Sequence, residues 1–327
     1  MKRSSQPKPA VSVVIPCYNA RETIEAAIRS AADQATPELP VEVIVVDDRS
    51  TDGSYELLQQ LAGRYHLVLR QTPATSGPSA ARNLGLEAAS GAYVNFLDAD
   101  DRLLSGKIAR QHAYLTSHPD TSVSYTDCTV EDPRGSWRLS TKWQPASGAI
   151  YDHLLARNCL ALHAALLPTT LAKHYRFDEQ LRTSEDYDLW LRLAKDGHSF
   201  AFMDEPLVVY NRTHAGLSRP RAEVYLATYQ LLQRHAAGLS PAAQATLDEH
   251  LAVLSRELSR CYLEAGSTTA ATQWLDTAAT YLPLPPRFEL TRRLLRINPF
   301  LGQLAFHLGA LALQLRNAMI PSKDMPE

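Results

Sequence analysis

Residues 94–101 read Val94-Asn95-Phe96-Leu97-Asp98-Ala99-Asp100-Asp101, an apolar strand running straight into three carboxylates. A strand that buries its body and ends in clustered acids holds negative charge at the edge of a core, which is costly without a compensating cation. Hard carboxylate oxygens with no Cys or His beside them suit magnesium or manganese, ions that commonly also ligate a phosphate-bearing substrate. The competing reading is a solvated Asp-rich turn. The rest of the chain decides between them.

Working back from this stretch, short apolar runs alternate with helical patterns. Val11-Ser12-Val13-Val14-Ile15-Pro16 is a strand closed by a proline, and Glu22 to Ala32 is a helix with Ile24, Ala27, Ile28 and Ala31 on one face. Val41 to Val46 is rich in β-branched residues and leads into Asp47-Asp48. A helix from Ser54 ends at Gly63, the strand His66 to Leu69 follows, and Pro78 starts the helix that leads back to Gly91. Successive βα units predict a parallel sheet wrapped by helices, with ligands at the carboxyl ends of the strands. Three of those ends are polar: Cys17-Tyr18-Asn19, Asp47-Asp48 and Asp98 to Asp101. Their convergence on one rim predicts a site.

After the acids the pattern loosens. A helix covers about Leu104 to Ser117, a strand Ser122 to Val130, and a polar stretch runs to Gly148. Ala161 to Leu167 reads as a strand, and Phe200 to Tyr210 as one or two strands broken at Asp204-Glu205-Pro206. From Arg221 onward only helix signals remain. The expected organisation is a disordered tail over residues 1–10, an α/β domain over 11–220 and an all-α region over 221–327.

The formal net charge of −2 over 327 residues gives no bulk electrostatic reason to expect a nucleic acid partner. Four scattered cysteines without a CxxC pair read as free thiols in a reducing compartment. The N-terminus lacks the apolar run of a secretory signal, so the expected location is cytoplasmic.

Val11 to Asn19 (VSVVIPCYN), Val45 to Ser54 (VVDDRSTDGS), Gly77 to Asp101 (GPSAARNLGLEAASGAYVNFLDADD) and Ser184 to Ala194 (SEDYDLWLRLA) together resemble the GT-A fold glycosyltransferases of family 2. The resemblance implies a Rossmann-like, mostly parallel sheet flanked by helices. It also implies transfer of a hexosyl or N-acetylhexosaminyl group from a nucleotide-diphosphate sugar to an acceptor hydroxyl, with inversion at the anomeric carbon. The acceptor class is a glycan, a lipid-linked sugar or a small molecule, and the setting cell-surface polysaccharide synthesis. By the same resemblance Asp98-Ala99-Asp100 is a DxD motif, with Asp100 a ligand of a divalent metal (Mn2+ or Mg2+) and Asp98 a partner of the donor's ribose or of metal-bound water. Asp101 is either an assistant or an exposed turn residue.

Asp48 resembles the carboxylate that accepts from the base ring of the nucleotide. An imide N–H pairs with an acceptor-only carboxylate, which favours uracil and hence a UDP-sugar. Pro16 and Tyr18 resemble the floor beneath that base, and Arg82, one turn into its helix, is placed to reach base or diphosphate. His214 resembles a histidine that returns toward the metal.

Inverting transfer needs a carboxylate to take the acceptor's proton. In Ser184-Glu185-Asp186, Ser184 reads as an N-cap and Asp186 shares a stripe with Leu189, Trp190 and Leu193, whereas Asp188 lies with Arg192 and Lys195 on a face expected to meet water. Asp186 is therefore the expected base, with Glu185 orienting the acceptor or supporting the helix start. The remaining histidines, His163 among them, show no partner spacing.

In the tail, Leu251 to Pro283 carries two helical patterns divided at Glu264-Ala265-Gly266-Ser267, like a single tetratricopeptide (TPR) helix pair. Arginines 287, 292, 293 and 296 precede an apolar stretch from Phe300 to Met319, a pattern that packs on protein or lies on an anionic membrane surface at its inner face. A nucleotidyltransferase would need a glycine-rich basic loop where Pro16-Cys17-Tyr18-Asn19-Ala20 stands, and a dehydrogenase GxGxxG; neither is present. A catalytically degenerate nucleotide-sugar sensor remains the alternative class.

Overall fold

The structure, a computed structural model, describes residues 9–133, 135–212 and 220–319. The expected tail over residues 1–10 and His214 thus lie mostly or wholly outside the described residues. The chain forms two compact units, Met1–Ser218 and Arg219–Glu327.

The first unit begins with regular βα repeats: β1 (Val11–Cys17), α1 (Ile24–Ala32), β2 (Val41–Asp47), α2 (Ser54–Tyr65), β3 (Val68–Gln71), α3 (Pro78–Ala88) and β4 (Tyr93–Phe96). Then come β5 (Arg102–Leu103), α4 (Lys107–Ser117), β6 (Val123–Asp132), β7 (Gly135–Arg138), α5 (Ser140–Trp143) and α6 (Tyr151–Ala156). A 3-10 turn over Leu162–Ala164, β8 (Ala165–Pro168), α7 (Thr169–Tyr175), α8 (Glu185–Lys195) and β9 (Phe200–Asn211) complete it.

The strands make one sheet in the order β3-β2-β1-β4-β8-β6-β9-β5, with β7 paired to β6. The β3-β2-β1-β4 half is entirely parallel, the other half mixed. Register explains why the polar strand ends meet: Cys17 lies opposite Asp47, Asp48 N–H donates to the Cys17 carbonyl at 2.7 Å, and Leu97 N–H donates to Val14 at 2.9 Å. The apolar bodies of β1 and β2 are buried on both faces, as parallel strands under helices must be. Helix α3 reaches this sheet because Gly85 carries no side chain; a Cβ there would stand 2.4 Å from Val14 Cγ1.

Two strand expectations need correction. Residues 161–167 are not one strand, since Leu162–Ala164 coil into a 3-10 turn before β8. The side-chain amide of Asn95 takes the carbonyls of His163 and Ala165, and that of Gln111 takes Ala164, so the ladder's acceptors are spent locally. Conversely, β9 runs unbroken through Pro206, which falls where the β6 register shifts and no ladder N–H is required.

The second unit is helical: α9 (Arg221–Arg234), α10 (Pro241–Glu264), α11 (Thr268–Tyr281), α12 (Pro286–Ile297) and α13 (Pro299–Met319). Helices α10 and α11 pack as a pair around Ala265-Gly266-Ser267, and Leu263, Ala271, Leu275, Phe288 and Leu295 form a shared core. Among the described residues no helix is long and apolar enough to cross a membrane.

Candidate active site

Helix α3 begins at Gly77, whose φ of 89° suits glycine, and carries Arg82 one turn in. The Arg82 guanidinium is buried and forked between two carboxylates: Nη2 donates to Asp98 Oδ1 and Nη1 to Glu185 Oε1, both at 2.6 Å. The Phe177 ring lies 5.5 Å from its Cζ. Burial opposes the charge, yet Asp98 and Glu185 hold Arg82 firmly protonated, and Arg82 with His163 in turn keeps Asp98 below the usual carboxylate range despite burial. One arginine therefore ties the acidic end of the fourth parallel strand to the start of α8.

That start differs from expectation in one respect. Ser184 stands at the N-cap position but adopts φ 62°, and its side chain makes no capping bond; its carbonyl accepts from Asp188 N–H at 3.0 Å instead. The turn aims Glu185 at Arg82 and leaves Asp186 half-buried beside it. Burial, then repulsion from Glu185, pushes the Asp186 carboxyl up to about 7. Asp188 is not on a wet face. It is buried, and Arg192 binds it at 2.7 Å while also donating to the carbonyls of Tyr175 and Arg176, because the end of α7 covers this side of α8.

The other acids crowd the β4 end. Asp101 is not an exposed turn residue: it is buried, accepts from Asn211 N–H at 2.8 Å, and its Oδ2 lies 2.9 Å from His163 Nδ1. Burial opposes protonation of His163, but Asp101 raises it well above the ordinary value; burial keeps Asp101 itself raised against that pull. Asp100 has no such partner. Burial and the neighbouring Asp101 and Asp98 push it up to about 7.

A spaced pattern could not reveal His163, because tertiary contacts put it there. Asn95 and Gln111 grip its turn from two sides, and the Oε1 of Gln111 itself accepts from the buried Lys107 Nζ at 2.7 Å. The oxygens of Asp98 and Asp101 and a His163 nitrogen lie within 4.8 Å of one another, a set able to hold one metal ion. The oxygens of Asp98 and Asp101 are hard donors that fit a divalent cation; Asp100, the ligand expected from the sequence, is not a member of this set. His163 would have to release its contact with Asp101 before serving as a ligand.

Asp47 and Asp48 are fixed differently. Asp48 accepts from Thr72 Oγ1 at 2.6 Å, Ser76 N–H at 2.9 Å and Gly77 N–H at 2.8 Å, and so shapes the loop before α3. Asp47 accepts from Gln71 at 2.9 Å and from Ser50 N–H at 3.3 Å. Pro16 is half-buried in β1 and Tyr18 is exposed just beyond it. Arg82, Asp98, Glu185 and Asp186 share one cleft with Trp143, Leu162, His163 and Tyr210; Pro16, Tyr18, Asp48 and Asp100 do not line it. Trp143, His163 and Tyr210 are the members that sequence reading missed.

Comparison with known proteins bears on this arrangement. Residues 12–169 match the family described as Glycosyl transferase family 2. A Bacillus subtilis protein described as the teichuronic acid biosynthesis glycosyltransferase TuaG is 32% identical over 214 residues, covering 64% of this chain and 82% of that protein. The chain belongs to glycosyltransferase family 2. A second relative, the Escherichia coli UDP-Glc:alpha-D-GlcNAc-diphosphoundecaprenol beta-1,3-glucosyltransferase WfaP, is 28% identical over 206 residues, 63% of this chain and 78% of that one. The crystal structure of S. aureus TarS 1–349 with UDP-GlcNAc superposes with a TM-score of 0.64 at 19% identity, over 97% of this chain and 94% of that one. The shared architecture is the GT-A fold with a helical C-terminal region, and the chemistry of the family is glycosyl transfer.

Proposed function

We propose that this family 2 enzyme is an inverting glycosyltransferase that moves a hexosyl or N-acetylhexosaminyl group from a UDP-sugar to an acceptor hydroxyl in cell-surface glycan synthesis. The observation carrying this reading is the cleft that holds Asp186, its carboxyl raised to about 7, together with Asp98 and Arg82. A base poised near neutral pH combines availability with driving force. Asp186 takes the acceptor hydroxyl's proton as that oxygen bonds to the anomeric carbon. The bond to the donor phosphate breaks, and its electron pair leaves with the nucleoside diphosphate.

Residues 11–220 are the catalytic GT-A domain in this reading, and 221–327 a helical domain containing a single TPR-like pair, α10 and α11. Pro16 and Tyr18 hold the base, and the acceptor capacity left on Asp48 meets the uracil imide. Arg82 and Asp98 bind the donor's polar end, and Glu185 steers Asp186 through Arg82. Asp100, with Asp98 and with His214 from outside the described residues, would hold Mn2+ or Mg2+, which offsets the charge developing on the diphosphate.

The names of two similar proteins support the setting: WfaP is named for a lipid-linked sugar diphosphate acceptor and a UDP-Glc donor, and TarS was crystallised with UDP-GlcNAc. A cytoplasmic enzyme that visits the inner membrane face suits such an acceptor. Support for peripheral contact through 287–319 comes from exposed Leu290, Ile297, Phe300, Leu301, Leu304 and Leu308 beside exposed Arg287, Arg293 and Arg296.

The test is Asp186→Asn, assayed for transfer and for UDP-sugar binding by calorimetry. Transfer should fall by about 10²–10⁴-fold with donor affinity unchanged; an unchanged rate removes Asp186 from the mechanism. A thermal-shift panel of UDP- and GDP-sugars, with and without Mn2+, should show a metal-dependent preference for UDP, whereas a GDP preference would overturn the role given to Asp48.

A further inference from the structure

The cleft around Asp186 has two unlike kinds of lining. Asp98, Glu185 and Asp186 are acidic and Arg82 and His163 basic, with Arg82 forked between two of the acids; Trp143, Leu162 and Tyr210 are apolar and aromatic. Its volume, about 180 Å³, is well below the roughly 300–1,000 Å³ of pockets for drug-sized ligands, and the nucleotide anchors Pro16, Tyr18 and Asp48 lie outside it. In the reading proposed above, this is the end of the site where sugars would meet.

Trp143 stands there on a turn that is built rather than loose. Asp127, buried on β6, accepts from Ser140 N–H at 2.9 Å, Ser140 Oγ at 2.7 Å and Arg138 Nε at 2.6 Å. Leu139 N–H donates to the Cys128 carbonyl at 2.8 Å, and Gln144, left-handed at φ 48°, ends α5 with its carbonyl 2.7 Å from His153 Nε2. Burial would raise the Asp127 carboxyl, but Ser140 and Arg138 hold it below the usual range. A large flat side chain on a turn fixed in advance adds contact area at reduced entropic cost on binding.

We propose that Trp143 is the acceptor platform, and that the acceptor's reacting residue is a pyranose ring whose C–H face lies on the indole while its hydroxyl edge meets Asp186. The proposal rests on the catalytic reading of Asp186. A donor sugar is already tethered to its nucleotide, whereas an acceptor must find its affinity within this cleft. The C–H face of a pyranose suits the electron-rich indole face. A polyol phosphate offers no comparable C–H face, so a pyranose ring is favoured over it on the indole.

The test uses the full chain, its Trp143→Phe and Trp143→Ala variants, and methyl pyranosides of glucose, galactose and N-acetylglucosamine as probes, with ribitol 5-phosphate and glycerol 3-phosphate as contrasts. Of the four tryptophans, Trp137, Trp190 and Trp274 remain in both variants as the emission baseline. At least one pyranoside should quench the wild type, and that quenching should vanish in Trp143→Phe. With UDP-glucose and UDP-GlcNAc as donors, Trp143→Ala should lose about tenfold or more in pyranoside-stimulated UDP release through a higher acceptor KM, a larger loss than in unstimulated hydrolysis; Trp143→Phe should recover most of the loss. The proposal is overturned by equal loss of hydrolysis and donor affinity, which would put Trp143 on the donor, by stimulation through polyol phosphates alone, or by the absence of quenching with every pyranoside. Failure of the Asp186 reading is separable: it shows as an active Asp186→Asn enzyme whose pyranoside quenching is intact.

Discussion

Two groups of acids stand on the same rim of the same sheet and are treated in opposite ways. Asp47 and Asp48, after β2, are buried among donors from the loop they organise. Asp98, Asp100 and Asp101, after β4, and Asp186 at the start of α8 have too few: Arg82 and His163 serve Asp98 and Asp101, while Asp100 and Asp186 are both pushed up to about 7. The first group spends its charge on shape, so the loop is rigid before any ligand arrives. The second keeps charge in reserve, which costs stability and suits binding a cation or moving a proton.

The sharpest way to break this contrast is to neutralise one acid from each group. Asp186→Asn should remove activity by the hundredfold or more given above and leave the melting temperature unchanged or higher. Asp48→Ala should instead strand Thr72 Oγ1 and the Ser76 and Gly77 N–H groups, costing on the order of 1–3 kcal/mol in chemical unfolding. An Asp48→Ala protein as stable as wild type would show that the loop does not depend on that carboxylate.

A pH profile sharpens the comparison next. With saturating Mn2+ keeping the β4 acids ionised, kcat/KM should fall about tenfold per pH unit below 7, because Asp186 must be deprotonated to act, and level off above it. A flat profile between pH 6 and about 8 would remove the raised base.

A smaller effect concerns stability. The Asp100 carboxyl is raised in the folded chain, so between the ordinary carboxylate range and about pH 7 the native state binds more protons than the unfolded one. Metal-free protein should lose stability as pH rises through that window, Asp100→Asn should lose less, and excess Mn2+ above pH 7 should restore the wild type alone, all read by differential scanning fluorimetry. The smallest expected effect is peripheral: Phe300→Glu should weaken flotation with phosphatidylglycerol vesicles without changing turnover of a water-soluble acceptor.

Much of the parallel half was legible because it obeys local rules. The β-branched run of β2, the buried face Ile24, Ala27, Ile28 and Ala31 of α1, and Pro78 at the start of α3 each follow from sequence periodicity or a fixed φ. The acids after β4 and the pair Glu185-Asp186 were visible as motifs. The mixed half was harder, since its turns are set by side chains distant in sequence. Asp127 makes the α5 turn, Asn95 and Gln111 break the strand expected at 161–167, and a register shift carries β9 through Pro206.

The sequence alone determined that strands and helices alternate, where they end, and that acids gather on one rim, because periodicity and strand polarity are local properties. Only the tertiary structure decided which acids are compensated and which are left raised. Compensation depends on who stands within hydrogen-bond reach: Arg82 between Asp98 and Glu185, His163 against Asp101, and Arg192 over Asp188. Those partners lie far apart along the chain, and no spacing rule connects them before the sheet closes.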